Sequence, residues 1–302
     1  MKTVSTLALL LLLQQQTPKE KTGLVPLCDM PAGQNYKGEA GGLYGDGRNE
    51  PPKPHAEAAA AAAALVKPLD ADGQPAAGGK IAFVAIGMSN TTQEFSRFVQ
   101  LARDKTAPAV VLVDAAQGGQ DAPKWTSADM RTWSVLDERL KAAGVTAKQV
   151  QVAWIKQAVA GPARDGAFPA HAKKLQEHLA AIVRVARERF PNLRLVYLSS
   201  RIYAGNATGG LNPEPYAYEG AFAVRGLIQE QIKKPEARAP VLLWGPYLWA
   251  DGTAGRKDGL VWKPEDLGRD GTHPSDSGRA KVAEQLLKFL QTDATSKAWF
   301  AK

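Results

Sequence analysis

Three side chains in this sequence have the types and spacing for nucleophilic attack on a carbonyl. Ser89 follows an apolar run, Ile81-Ala82-Phe83-Val84-Ala85-Ile86, that reads as a buried strand and stops at Gly87. Asp270 and His273 stand three residues apart in Asp270-Gly271-Thr272-His273-Pro274-Ser275. A hydroxyl is a weak nucleophile until a neighbouring imidazole takes its proton, and a carboxylate holds that imidazole in the required tautomer. Gly-x-Ser and Asp-x-x-His each recur by chance, so the weight lies in their order and in what positions them. Pro274 biases His273 away from helical geometry, and Ser275 or Asp276 suits the cap of a following helix.

The elements that must position these groups are legible as periodic runs. Apolar stretches at 81–86, 109–113, 150–155, 193–198 and 241–244 predict five buried strands. Helical stretches separate them, most clearly at 93–103, 170–190 and 218–233, and a last one, 279–290, follows the fifth strand. Strands alternating with helices predict a three-layer α/β fold, a mostly parallel five-stranded sheet with helices on both faces. Ligands of such folds gather at the carboxyl ends of the strands, where Ser89 and the 270–275 loop both fall.

Each strand-end loop offers a candidate group beside an ordinary structural role. The Ser89 N–H, near a helix start, can help hold an oxyanion, although Ser89 and Asn90 are both common helix caps. Gly118 and Gly119 follow the second strand, as a plain turn or as a backbone donor that a ligand can approach closely. Gln157 follows the third strand; its amide either completes an oxyanion hole or braces the loop. Asn206, after the fourth strand, competes with it. Arg201 could read an acidic substrate group or form a structural ion pair. Asn90, Arg201 and Asn206 are therefore the substrate-binding candidates.

Other residues carry weaker signals. His55, His171 and His178 read as solvated. Trp125, Tyr203, Tyr216, Tyr247 and Trp249 could stack on sugar rings or fill the core. The sequence has no Cys/His cluster, Walker motif or dinucleotide glycine pattern, so no metal and no cofactor are expected. Asn90-Thr91-Thr92 and Asn206-Ala207-Thr208 match a glycosylation sequon, which matters only in a eukaryotic secretory route.

Composition bounds the rest. The chain has 302 residues, 44% hydrophobic and 23% charged, enough for a packed core. Its net charge of +8 reads as a solvated basic surface or as attraction to an acidic polysaccharide or membrane surface. Basic and aromatic residues do not interleave, so no nucleic-acid partner is expected. Residues 1–20 resemble a signal peptide, with Lys2 before an apolar stretch at 4–13 that is shorter than the roughly 20 residues of a membrane span. A secreted or periplasmic protein without a transmembrane span is expected. Cys28 is the single cysteine, which excludes an internal disulfide and reads as a small buried or neutral residue.

Residues 21–79 are expected to form an N-terminal extension packed on a catalytic domain at 80–302. The alanine run at 58–64 predicts a helix, with Glu57 near its start and Pro68 after its end. Tyr44, Arg48 and the prolines at 51–54 could cover the strand-end loops or belong to a wrapping arm.

Serine after the first strand, glycine after the second, an amide after the third and Asp-x-x-His before the last helix resemble, in that order, the SGNH or GDSL-like hydrolase superfamily, over about residues 80–290. The resemblance implies the flavodoxin-like SGNH hydrolase fold. It implies Ser89 as nucleophile, His273 as general base and Asp270 as its orienting acid. The oxyanion hole would come from Ser89, Gly118 or Gly119, and Gln157. Gly87-Met88-Ser89-Asn90 departs from Gly-Asp-Ser and is closer to the Gly-Gln-Ser-Asn of carbohydrate acetylesterases of the sialate O-acetylesterase type. Those enzymes tend to carry Trp-x-Gln-Gly-Glu in the third block, where this chain has Trp154-Ile155-Lys156-Gln157-Ala158. The implied activity is that of a secreted serine esterase acting on short acyl, chiefly acetyl, esters of an acylated polysaccharide. There are two rivals: a non-catalytic carbohydrate-binding protein on this fold, with those aromatic side chains stacked on sugar rings, and a lipid or thioester hydrolase that shares the chemistry.

Overall fold

The computed structural model describes residues 20–234 and 240–302. The signal-peptide reading of residues 1–20, Glu20 apart, lies outside the described residues. A short antiparallel pair, β1 (Asn35–Tyr36) and β2 (Glu39–Ala40), precedes the main sheet. That sheet comprises β3 (Ile81–Gly87), β4 (Val110–Asp114), β5 (Val150–Lys156), β6 (Leu195–Ser199) and β7 (Val241–Trp244). Its order is β4-β3-β5-β6-β7, and every neighbouring pair is parallel. The chain is a three-layer α/β fold, and the predicted strands lie within two residues of the observed ones.

Among the described residues seven α-helices accompany the strands: α1 (Lys53–Ala64), α2 (Ser89–Ala102), α3 (Arg131–Ala142), α4 (Ala170–Arg189), α5 (Tyr216–Lys233), α6 (Asp276–Thr292) and α7 (Lys297–Phe300). α2 packs against α6, and α4 against α5. Both β3 and β5 are buried along their whole length, which explains why they read as continuous apolar runs. α3 was not singled out from sequence, yet Trp133, Leu136 and Leu140 form a buried stripe at helical spacing. α1 starts at Lys53, five residues before the alanine run, because Pro54 is tolerated in a first turn that needs no N–H from it.

The order of the sheet decides where a site can form. The chain leaves β3 toward β4 on one side, then returns to place β5 on the other. Loops after β3 and β5 therefore diverge and leave a crevice at their carboxyl ends. Ser89 and Gln157 emerge there.

Residues ahead of β3 are tied to the later elements by hydrogen bonds. Thr22 donates its N–H and hydroxyl to Asp251, both at 2.6 Å. Leu27 N–H donates to the Tyr247 hydroxyl at 3.1 Å. The Gln151 side chain makes two bonds with the Lys67 backbone. Gln229 of α5 donates to the Tyr44 carbonyl, Trp244 donates to the Leu43 carbonyl, and Arg48 pairs with exposed Asp46. Tyr44 thus meets α5 through its carbonyl and Arg48 through its N–H, while its neighbour Leu43 meets β7.

Two readings of side-chain environment need correction. His55 and His171 are buried, not solvated; only His178 is half-exposed. His55 Nε2 lies 2.8 Å from the Leu242 carbonyl, and His171 Nε2 lies 2.7 Å from Glu219 Oε2. Both partners are remote in sequence, so local spacing did not reveal them. Trp125, Tyr203, Tyr247 and Trp249 are core residues, leaving Tyr216 as the partly exposed member of the set. Cys28 is half-buried, and burial pushes its thiol up to about 12.

Candidate active site

The turn that presents Ser89 depends on Gly87. A Cβ on Gly87 would lie 2.3 Å from Thr91 Oγ1 and 2.6 Å from the Lys156 carbonyl oxygen, so any larger residue would force α2 away from the end of β5. Thr91 Oγ1 fills that contact by donating to the Lys156 carbonyl at 2.7 Å. Met88 is the N-cap of α2 and Ser89 its first residue. The Ser89 hydroxyl makes no cap; its Oγ lies 2.7 Å from His273 Nε2.

His273 Nδ1 lies 2.6 Å from Asp270 Oδ2. The other oxygen, Oδ1, accepts the N–H groups of Thr272 and His273, both at 3.0 Å. Burial raises the Asp270 pKa, but the bonds from the His273 ring and from the two backbone N–H groups outweigh it and hold the carboxyl below its ordinary value. An ionised Asp270 accepts Nδ1–H and leaves Nε2 free to accept the serine proton. The loop is clamped shut by Gly268 N–H donating to the His273 carbonyl at 2.7 Å and Thr208 N–H donating to the Asp270 carbonyl at 3.0 Å. Gly271 has φ +61° and lies so close to the Asn206 carbonyl that a Cβ would overlap it, so glycine is required there. Ser275 caps α6 by accepting from Gly278 N–H.

Three strand ends converge beside Ser89. Gly87 is in register with Lys156, so Met88 and Gln157 leave the sheet side by side. Gln117 N–H donates to the Gly87 carbonyl at 3.0 Å, which brings Gly118 alongside. Gly118 and Gly119 are exposed, with open space where a Cβ would stand. Among the described residues no acceptor takes the N–H of Ser89, Gly118 or Gly119. Gln157 is buried and donates its amide to the Gln120 carbonyl at 3.2 Å, while its Oε1 has no partner. Its amide therefore braces the second loop. Asn206 is half-buried, and its Oδ1 also lacks a partner.

Asn90 and Arg201 were expected to face substrate, and the structure turns both inward. Asn90 is 1% and Arg201 2% exposed. Asn90 Nδ2 and Arg201 Nη2 each donate to the Thr272 carbonyl at 2.9 Å. They hold the peptide that precedes His273. The sequon at Asn90 is buried with them.

Beneath these loops lies a charge cluster that sequence reading missed. Lys156 Nζ sits 2.9 and 2.7 Å from the two oxygens of Glu94, and both side chains are fully buried. Burial pushes Lys156 down to about 8, with Glu94 opposing the shift and Arg201 adding to it. Glu214 is pushed up to about 6 by burial, although it accepts bonds from Trp249 Nε1, Ala204 N–H and Tyr218 N–H at 2.8, 2.9 and 3.0 Å. Two carboxylates and two cations thus lie under the Ser89 turn and the post-β6 loop. The available signal was that Thr91, Glu94, Phe95 and Phe98 share one helix face.

No family model and no curated protein matches the chain. Solved structures are similar at low identity. A carbohydrate esterase family 3 structure from Talaromyces cellulolyticus is 14% identical, with a TM-score of 0.43 over 69% of this chain and 95% of that one. A GDSL-like lipase from Bacteroides thetaiotaomicron is 13% identical, with a TM-score of 0.40 over 81% and 98%. The C-terminal catalytic domain of peptidoglycan O-acetyltransferase A from Streptococcus pneumoniae is 17% identical, with a TM-score of 0.39 over 70% and 94%.

Proposed function

We propose that this chain is a secreted serine esterase that hydrolyses short acyl esters, acetyl foremost, on carbohydrate. The observation that carries the reading is the chain of contacts from Ser89 Oγ through His273 to Asp270, at 2.7 and 2.6 Å. His273 Nε2 removes the serine proton as Oγ attacks the ester carbonyl. The carbonyl oxygen becomes an oxyanion, received by the unpartnered N–H groups of Ser89 and of Gly118 or Gly119. Gln157 joins them only by turning its amide from Gln120, and Asn206 is the other side-chain candidate. His273 then gives its proton to the leaving alcohol. Water, deprotonated by the same imidazole, cleaves the acyl-serine and restores the hydroxyl. Asp270, held ionised, orients the ring and stabilises its cation. The apolar stretch at 4–13 supports the secreted location.

The test is hydrolysis of p-nitrophenyl acetate and of a longer-chain ester by the wild type and by Ser89→Ala. Activity abolished in the variant supports the reading. Equal rates in both proteins overturn it. A preference for the longer chain favours the lipid or thioester hydrolase instead.

A further inference from the structure

A polar groove of about 570 Å³ opens between α2 and the first turn of α6. Thr92, Gln93, Ser96 and Gln100 line it from α2. At 100° per residue these positions share a face with Ser89, opposite the buried face of Thr91, Phe95 and Phe98. The groove therefore continues the surface that presents the nucleophile, over about 16 Å between residues 89 and 100. Its other wall begins at Asp276, three residues after His273.

The lining has no large apolar side chain, so a fatty acyl chain would find nothing to bury against. Thr92 and Ser96 donate their hydroxyls inward to Asp114, which leaves the hydroxyl oxygens as acceptors for ligand O–H groups. Hydroxyl-rich ligands match such a surface.

The charges are paired with one exception. Arg139 faces Asp114, and Arg279 pairs with Asp276 at 3.0 Å. Arg97 bonds only the neutral side chain of Gln100, at 3.0 Å, and no carboxylate pairs with it among the described residues. A guanidinium free at a polar groove is suited to a carboxylate. We infer that this groove binds the saccharide units next to the scissile ester and that Arg97 selects units bearing a carboxylate. The inference rests on the esterase reading for its link to Ser89, and names the substrate class of that site.

The experiment measures binding of an oligogalacturonate and of a neutral xylo-oligosaccharide by calorimetry, so that it does not depend on turnover. Full-chain Ser89→Ala is compared with Ser89→Ala/Arg97→Gln. The expected result is about tenfold tighter binding of the oligogalacturonate, lost in the double variant and weakened by salt. No binding of the oligogalacturonate, or a preference that survives Arg97→Gln, overturns the inference. Hydrolysis of p-nitrophenyl acetate by the wild type reports separately on the esterase reading. Binding without hydrolysis fails that reading alone; hydrolysis without binding fails the groove alone.

Discussion

Asn90 donates its side-chain amide to the carbonyl of Thr272 at 2.9 Å, joining the residue after the nucleophile to the residue before the imidazole. Arg201 reaches the same carbonyl from the loop after β6. Loops from three strand ends thus meet on one peptide, and the 2.7 Å contact between Ser89 and His273 is the result. Attack geometry is sensitive to small displacements, so loss of such a brace lowers turnover more than binding.

Asn90→Ala removes one donor and leaves Arg201 on the carbonyl. Turnover of p-nitrophenyl acetate is expected to fall about 10- to 100-fold with KM nearly unchanged. Stability is expected to fall by about 1 kcal/mol. Steady-state kinetics beside a urea titration decide the point. An unchanged turnover would show that Arg201 suffices to hold the loop.

Asp270→Asn preserves shape but removes the charge and offers an amide to His273 Nδ1. The ring then favours the tautomer with its proton on Nε2, which cannot take the serine proton. A fall in turnover of about 10³–10⁴ is expected, as found where a triad carboxylate has been neutralised in other enzymes. A loss below tenfold would mean that the 2.6 Å contact orients nothing that matters to the rate.

How much of this was legible depended on whether the signal was local. The buried runs of β3 and β5 stand out because both faces of each strand are covered. Ser89 stands out because it follows such a run, and Asp270 and His273 because they share one loop. Arg201 and Asn90 were picked as polar groups near the strand ends, but their inward direction is set by a carbonyl 71 and 182 residues away. Lys156 ends an apolar run, and its partner Glu94 stands 62 residues earlier, so nothing local marks the pair. His171 was misread for the same reason, since its partner Glu219 comes from α5.

The Glu94–Lys156 pair gives a stability prediction with a pH signature. Glu94→Gln strands a buried ammonium, and a loss of about 3–5 kcal/mol at neutral pH is expected. The double change Glu94→Leu/Lys156→Met is expected to recover most of it, because no buried charge is left unpaired. Lys156 titrates at about 8 in the folded chain against 10.5 for an ordinary lysine. Between these values the unfolded chain binds the extra proton, so stability contributed by this site rises with pH there. Chemical denaturation of the wild type and both variants at pH 7 and pH 9 tests the claim, which fails if the double variant is the least stable.

Glu214 has the opposite sign. Its carboxyl titrates at about 6 when folded against 4.5 when free. Between those values the folded chain keeps a proton that the unfolded chain releases, so its contribution to stability falls as pH rises from 4.5 to 6. Above that window the cost is constant, on the order of 2 kcal/mol. The site tolerates it because the ionised group accepts N–H bonds from Ala204, Tyr218 and Trp249 together, anchoring the loop that leads to Asn206. Glutamine has one oxygen and can serve only the two donors that share Oε1, so Glu214→Gln removes the titration and loosens the bond to Tyr218. The difference between the wild-type and variant stability curves isolates this group from other carboxylates. That difference should change across pH 4.5 to 6 and stay level above it; a difference that is flat throughout would mean that Glu214 ionises as an ordinary carboxylate.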